Sequence, residues 1–408
     1  MRDRSFLVAN APWLMAGTLL TFLSSFGQTY FISIFSGEIR AEFGLTHGQW
    51  GGIYSLGTTL SAAVMVWSGG LTDRFRSRLL GSGVLILLAL ACLAMAVSTV
   101  WLLPAVIFAL RLTGQGMTVH IAAVSMARWF VASRGKALSI ASVGSSLAEA
   151  VMPILFVALL TVWDWRQLWV LSALIAIAGV PLLRLLLRRE RTPQSMAEND
   201  QSTGMKNIHW TRGQTLRHPL FWFMVPALLG PPAFITAFFF QQVHYAEIKG
   251  WTHLDLVSLF PIYTGFGIAA MLGSGWLLDR VGTGRLIPYY QLPMVVAFAW
   301  FAIAGSPMSA LVGLFFLAMT AGANATLPNA FWAEFYGTAN LGAIKAMSAA
   351  VMVLGSALGP GLTGALIDLG IGIETQYLFV AGYFIFATVM MKIGIAQVGH
   401  TQSNRSKG

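Results

Sequence analysis

The residue that most demands an explanation is Arg111. It sits near the middle of 104–130, PAVIFALRLTGQGMTVHIAAVSMARWF, a stretch apolar enough to cross a bilayer. A charge at that depth costs roughly 3 kcal/mol on insertion scales, so it needs a partner, a water-lined path or a task. Gly114, Gln115 and Gly116 follow within about one turn, and such small residues let another element approach closely. The next apolar stretch carries Glu149 in SSLAEAVMP. The two stretches are consecutive and antiparallel, and at 1.5 Å per residue the depths of Arg111 and Glu149 differ by roughly 3 Å. Arg111 and Glu149 are therefore expected to pair. Two unit charges about 4 Å apart attract by roughly 4 kcal/mol at an effective dielectric of 20, or about three pKa units. An anionic solute that captured Arg111 would release Glu149 to take a proton, and solute and proton would cross together. The alternative is a static salt bridge that neutralises both charges.

Other polar side chains lie in apolar stretches. His120 follows Arg111 by a little over two turns and has the near-neutral pKa of a proton relay, although a hydrogen-bonded packing role also fits. Gln28, Tyr30, Gln241, Gln242, His244, Asn324 and Asn329 are further polar groups. Each alone reads as an interhelix hydrogen bond, and together they suggest a wettable central cavity. Pro153 and the run Gly359-Pro360-Gly361 are expected to act as hinges, because proline removes a backbone donor and clashes with the preceding turn.

These residues are positioned by membrane spans. The chain has 408 residues, of which 56% are hydrophobic and only 10% charged, with mean hydropathy +0.71; soluble proteins carry about 25% charged residues. Apolar runs of about 20 residues occur at 11–34, 48–70, 79–98, 101–125, 137–161, 166–187, 219–243, 257–278, 286–304, 308–332, 343–367 and 376–398. The expected fold is all-α and integral to the membrane, with a six-helix half at 1–187 and another at 218–408. The polar stretch 188–217 between them reads as a cytoplasmic linker. Arg2 and Arg4 precede a run too long for a signal peptide, so an uncleaved first span is expected. The single Cys92 excludes an intrachain disulfide and a cysteine metal cluster.

With both termini in the cytoplasm, all of the 25 Lys and Arg fall on the cytoplasmic side except Arg40, Arg166, Lys249 and the intramembrane Arg111. That asymmetry sets orientation. It also accounts for the formal charge of +10 without nucleic-acid binding. The expected location is the cell (inner) membrane.

An internal repeat is visible. Gly69-Gly-Leu-Thr-Asp73-Arg74 matches Gly275-Trp-Leu-Leu-Asp279-Arg280, and Ala127-Arg-Trp-Phe matches Ala333-Glu-Phe-Tyr, both at an offset of 206. Gly144-Ser-Ser-Leu matches Gly355-Ser-Ala-Leu at 211, which sets Glu149 opposite Pro360. Two halves with the same inside-outside sense form a parallel repeat, and transporters built this way hold substrate between the halves near mid-membrane.

The Gly-x-x-x-Asp-Arg turn at 69–74 with Arg78, and its second copy from Gly275 through Gly282 to Arg285, resemble the cytoplasmic loop of the major facilitator superfamily. Arg76 stands where that pattern has glycine. Arg111 in Arg-x-x-Gly-Gln-Gly resembles the family's helix 4 motif, one residue off the commonest spacing. The resemblance implies a secondary transporter working by alternating access; the duplication of the turn favours Asp73, Arg74, Arg78, Asp279, Arg280 and Arg285 as a cytoplasmic gate over plain topological anchors with surface salt bridges. The segments 27–44, GQTYFISIFSGEIRAEFG, and 332–346, WAEFYGTANLGAIKA, resemble the monocarboxylate and oxalate–formate exchanger branch. That implies a small organic anion as solute and protons as coupling ion, although span 257–278 contains no Lys or Arg. A proton-driven exporter of hydrophobic compounds is the second reading, motivated by aromatic runs such as Phe238-Phe239-Phe240, most of whose rings are expected to face lipid. A membrane sensor would need a signalling domain for which 188–217 has no room. No Gly-x-x-x-x-Gly-Lys-[Ser/Thr] loop is present, which argues against direct ATP use. No nucleophile with a base at catalytic spacing points to an enzyme. No cofactor or metal is expected. One chain supplies both halves, so a monomer suffices.

Overall fold

The computed structural model describes residues 2–130, 134–189, 203–337 and 340–405. Every regular element among them is helical, as a bilayer requires when each backbone polar group must be satisfied within its own segment. Ten helices are long and apolar enough to cross a membrane. With His47–Ser68 and Leu292–Ile303 they make up twelve. His47–Ser68 is rich in Gly, Ser and Thr, which lowers its hydropathy. Leu292–Ile303 is short because the chain before it, at 287–291, turns around Pro288.

In chain order the main helices are α1 (Arg2–Leu23), α2 (His47–Ser68), α3 (Ser77–Ala96), α4 (Leu103–Trp129), α5 (Arg134–Leu160) and α6 (Trp165–Leu186). They continue with α7 (Pro219–Phe240), α8 (Phe260–Val281), α9 (Leu292–Ile303), α10 (Pro307–Tyr336), α11 (Leu341–Asp368) and α12 (Ile373–Arg405). Capping boxes start α2, through Thr46 and Gln49, and α6, through Asp164 and Gln167; each satisfies amide groups that the first turn leaves open.

Contacts divide the chain into two units. Unit 1 is 1–199 together with 239–244, and unit 2 is 200–238 together with 245–408. In unit 1, α5 lies against α1 so closely that a Cβ at Gly144 would stand 2.0 Å from Thr18 O. Thr21 Oγ1 donates to Ala141 O at 2.5 Å and Thr18 Oγ1 to Ile140 O at 3.1 Å across the same interface. A Cβ at Gly57 of α2 would meet Phe108 N of α4 at 2.8 Å. Phe31 packs edge-on against Phe156 at 4.8 Å and Trp169 at 5.5 Å, an aromatic core.

Unit 2 uses the same device. A Cβ at Gly355 would lie 2.5 Å from Leu229 O, and one at Gly359 2.1 Å from Ala233 O, both of α7. Gly359 therefore serves close helix contact. Pro153 and Pro360 both lie inside unbroken helices. Phe238, Phe239 and Phe240 are 0%, 4% and 1% exposed. The expectation that these rings face lipid is overturned: Phe238 stacks on Phe301 at 4.5 Å, and Phe240 stacks on Trp50 at 5.7 Å. Part of the expected linker is also folded. Trp210 is buried, its amide donates to Tyr336 O at 3.2 Å, and Asn340 Nδ2 donates to Trp210 O at 3.1 Å. Its indole supplies apolar surface that a polar reading of 188–217 undercounts.

Candidate functional site

The backbone departs from regular α-helix at the places where the polar residues sit. After α1 the chain tightens into a 3-10 turn at Ser24–Gly27 and extends at Gln28 (φ −86°, ψ 152°). In α4, Arg111–Thr118 is a π-helical turn. α7 ends at Phe240, Gln241 is a turn, and a new helix starts at Gln242. α10 loosens into turns at 324–326. Wide helical turns often mark functional sites, and broken helices surround the solute in many transporters.

The first two breaks meet. A Cβ on Gly114 would stand 2.6 Å from Gly27 Cα, and one on Gly27 2.2 Å from Leu110 O. Only two glycines allow that backbone contact. In the π-turn, Thr113 Oγ1 donates to Ala109 O at 2.7 Å and Thr118 Oγ1 to Thr113 O at 2.5 Å, which supports the widened turn. Gly27 then presents its carbonyl to Arg111. Arg111 Nη1 donates to Gly27 O at 3.0 Å and to Thr29 Oγ1 at 3.4 Å, and its guanidinium lies 5.3 Å from the centre of the Tyr54 ring. Tyr54 Oη and Thr29 Oγ1 share a hydrogen bond of 2.5 Å. Arg111 is 1% exposed, and its Nε has no partner among the described residues. Dipoles and a π face compensate this charge, and no carboxylate pairs with it among the described residues.

The expected pairing of Arg111 with Glu149 is thereby corrected. The half-buried Glu149 instead acts electrostatically on the Tyr30 hydroxyl, which has no hydrogen-bond partner among the described residues. Equal depth left the direction around the helix axis open, and the α1 break fills the approach to Arg111. Thr29, in that break, accepts from Arg111, and Tyr30 is the residue next to it. Gln115 is half-buried in the bulge, and Gln28 is the extended residue of the break. His120 Nε2 lies 3.1 Å from Gly69 O, a tie between α4 and the end of α2.

Residues 239–244 complete unit 1. Gln242 is fully buried, and its Nε2 donates to Ser33 Oγ at 2.7 Å and to Tyr30 O at 3.1 Å. Phe240 lies 4.7 Å from Tyr54, the ring under Arg111. The His244 and His47 rings are 4.2 Å apart. Burial, then His47 and Arg40, push the His244 pKa down to about 4. In unit 2, Tyr290 Oη donates to Asn324 Oδ1 at 3.3 Å. Asn329 is exposed and donates to Ala325 O of its own helix at 2.7 Å.

Of the expected gate, Arg74, Arg78, Arg280 and Arg285 are exposed. Arg280 stacks 3.9 Å from the centre of the Trp276 ring. The side chains of Asp73 and Asp279 lie outside the described residues. The two turns differ: Gly282 has φ +85°, a value that favours glycine, whereas Arg76 has φ −63°. Gly27, Thr29 and Tyr54 were not legible as site residues. The one available signal was a lone aromatic among small residues in GGIYSLGTTLS. Among the described residues no group of three or more His, Cys, Asp or Glu is placed to hold a metal.

Comparison with known proteins bears on this geometry. A family model described as Major Facilitator Superfamily matches residues 17–360. Monocarboxylate transporter 13 of Bos taurus is 26% identical over 280 residues, which is 67% of this chain and 63% of that protein; the match thus spans under two thirds of the relative's length. Among solved structures, the nucleoside transporter NupG superposes with a TM-score of 0.72 at 14% identity, covering 94% of this chain and 98% of that one. A bacterial homologue of the human lysosomal transporter Spinster, inward-facing and unoccupied, gives 0.65 at 16% identity, with 95% and 96% covered. At those identities the likeness concerns the fold.

Proposed function

The chain belongs to the major facilitator superfamily and is a multi-pass membrane transporter rather than an enzyme, and on that premise we propose that it carries a small monocarboxylate-type anion coupled to protons. The observation that carries this reading is the buried Arg111, held by neutral partners and keeping an unused Nε donor. A carboxylate is the ligand such a fork accepts best. A carboxylate reaching Arg111 takes the place of the Gly27 carbonyl and Thr29 hydroxyl. That frees the α1 break, whose next residue, Tyr30, lies within electrostatic reach of Glu149. Solute and proton thus act on one segment, and each biases the binding of the other. The 26% identical monocarboxylate transporter supports this solute class.

In the same reading the termini are cytoplasmic, and Arg74, Arg78, Arg280 and Arg285 with Asp73 and Asp279 form the cytoplasmic gate. Pro153, Gly359 and Pro360 ease helix bending, His120, Gln115, Gln28, Asn324 and Asn329 line or brace the path, and the protein works as a monomer. The test is uptake of labelled monocarboxylates into proteoliposomes under an imposed pH gradient. Arg111→Gln is expected to abolish flux, and Glu149→Gln to leave solute exchange while removing the drive from the gradient. Intact flux in Arg111→Gln would refute the anion site. Full pH dependence in Glu149→Gln would refute the coupling.

A further inference from the structure

Four arginines converge on one cleft in unit 1, far in sequence from Arg111. A cavity of ≈ 410 Å³ is lined by Arg76, Arg78, Leu79, Arg184, Leu187 and Arg188. Arg76 immediately precedes α3 and Arg78 lies in its first turn, while Arg184 is in the last turn of α6 and Arg188 just beyond it. All four are exposed. None of them forms an ion pair with a carboxylate among the described residues. Arg184 Nε donates to Ser82 Oγ at 3.3 Å; that hydroxyl itself donates to Arg78 O at 2.8 Å, which fixes Arg184 against α3.

Like charges gathered around one space repel, so the arrangement calls for an anion. The start of the 20-residue α3 adds to it, because the first amides of a helix carry partial positive charge and have no acceptor within the helix. Basic side chains near the end of α6 also offset its last carbonyls, but that role does not require them to share a cleft with Arg76 and Arg78. The rim identifies the source of the anion. Leu79, itself 60% exposed, lines the cleft beside the arginines. Both helices are membrane-spanning, so their ends lie at the depth of lipid phosphates. Clustered basic residues at such a level recognise anionic headgroups, and guanidinium forks match phosphate oxygens in pairs.

We propose that this cleft binds the headgroup of an anionic membrane lipid, with a phosphate seated among Arg76, Arg78, Arg184 and Arg188 and an acyl chain running past Leu79. Four positive charges suit a phosphomonoester or a lipid with two phosphates better than a singly charged diester. The bound lipid joins the start of α3, which follows the Gly69–Arg74 turn, to the end of α6.

The test uses the full-length protein in detergent, titrated with phosphatidic acid, with phosphatidylcholine of the same chains, and with inorganic phosphate. Thermal stability and native mass spectrometry are the readouts. Phosphatidic acid is expected to bind with about tenfold or greater preference over phosphatidylcholine, weakening as salt rises. The exposed double substitution Arg184→Gln with Arg188→Gln is expected to lose that preference, and Arg212→Gln, exposed in unit 2, to keep it. Equal binding of the two lipids, or an unchanged preference in the double variant, would overturn the proposal. Protection by inorganic phosphate matching that by phosphatidic acid would overturn the lipid assignment in favour of a free-anion site. If the double variant does not fold, Arg76→Gln is read by the same criteria.

Discussion

The third helix of each unit ends in the same way with the charges exchanged. In unit 1, Arg166 from the start of α6 donates to Ala96 O at 2.8 Å and Ser98 O at 3.1 Å, and pairs with Glu42 at 2.6 Å. In unit 2, Lys249, beyond α7, donates to Ala302 O at 3.0 Å and pairs with Glu374 at the start of α12. Ala96 and Ala302 are 206 residues apart, the offset of the repeat. The cation comes from the sixth helix in one unit and from the segment after the first helix in the other. What persists is a cation over the last carbonyls of a helix, where the macrodipole favours it; which element supplies it was free to change.

Inside the membrane the comparison runs the other way. Gly116 packs on Met65, and Gly322 packs on Met271, again at an offset of 206. His120 ties α4 to Gly69 O, and the corresponding Thr326 ties α10 to Ser274 through a 2.8 Å hydrogen bond. At Arg111, however, the counterpart is Leu317, fully buried. These scaffold contacts recur in both units, and the charges of Arg111 and Glu149 do not.

The close helix contacts test the duplication most severely. Gly144→Val in unit 1 and its counterpart Gly355→Val in unit 2 each drive a side chain into a carbonyl, that of Thr18 or of Leu229, and both are expected to leave little folded protein on size-exclusion chromatography. Damage confined to one unit would break the equivalence. Next comes the charge. Leu317→Arg is expected to destabilise by roughly 3 kcal/mol in thermal unfolding, because it places a charge at a fully buried apolar position within a span. Arg111→Leu is expected to fold and to lose transport. Equal tolerance of both substitutions would remove the distinction between the copies.

The helix-end cations should matter less. Arg166→Met and Lys249→Met are each expected to cost about 1–2 kcal/mol, since carbonyls lose a charged donor. Glu42→Gln should cost under about 1 kcal/mol, its pair being exposed. The Arg166 guanidinium holds the Glu42 carboxyl below its ordinary range. Its contribution is therefore present at neutral pH and lost as pH falls through that lowered value. Thermal melts across pH measure it.

The smallest effect concerns residues 239–244, which have no equivalent in the other unit's division. The His244 pKa near 4 lies below its ordinary 6.5, so the undocked segment takes up a proton that the docked one resists. Docking is expected to weaken as pH falls from 6.5 toward 4 and to be at full strength above 6.5. Hydrogen exchange at 239–244 reads this directly, and His244→Asn should flatten the response.

Much of the scaffold was legible because lipid imposes a length and a hydropathy on every span. α2 and α9 show where that signal thins, one through small polar residues and the other through a proline-bounded turn. The site was legible by residue type only. Arg111 announced itself by its cost, but Gly27, Thr29 and Tyr54 carry no such signal, since a glycine, a threonine and a tyrosine are unremarkable in any membrane helix.

The amino-acid sequence by itself determined the class of the molecule, the number of its spans, the repeat and the two charges, Arg111 and Glu149, carried by consecutive spans of one half. Those follow from composition and periodicity, which act locally along the chain. Only the tertiary structure decided that Arg111 turns to a carbonyl and a ring rather than to Glu149. The direction of a side chain around its helix depends on which backbone comes close, and that depends on two glycines 87 residues apart meeting at Gly27 and Gly114.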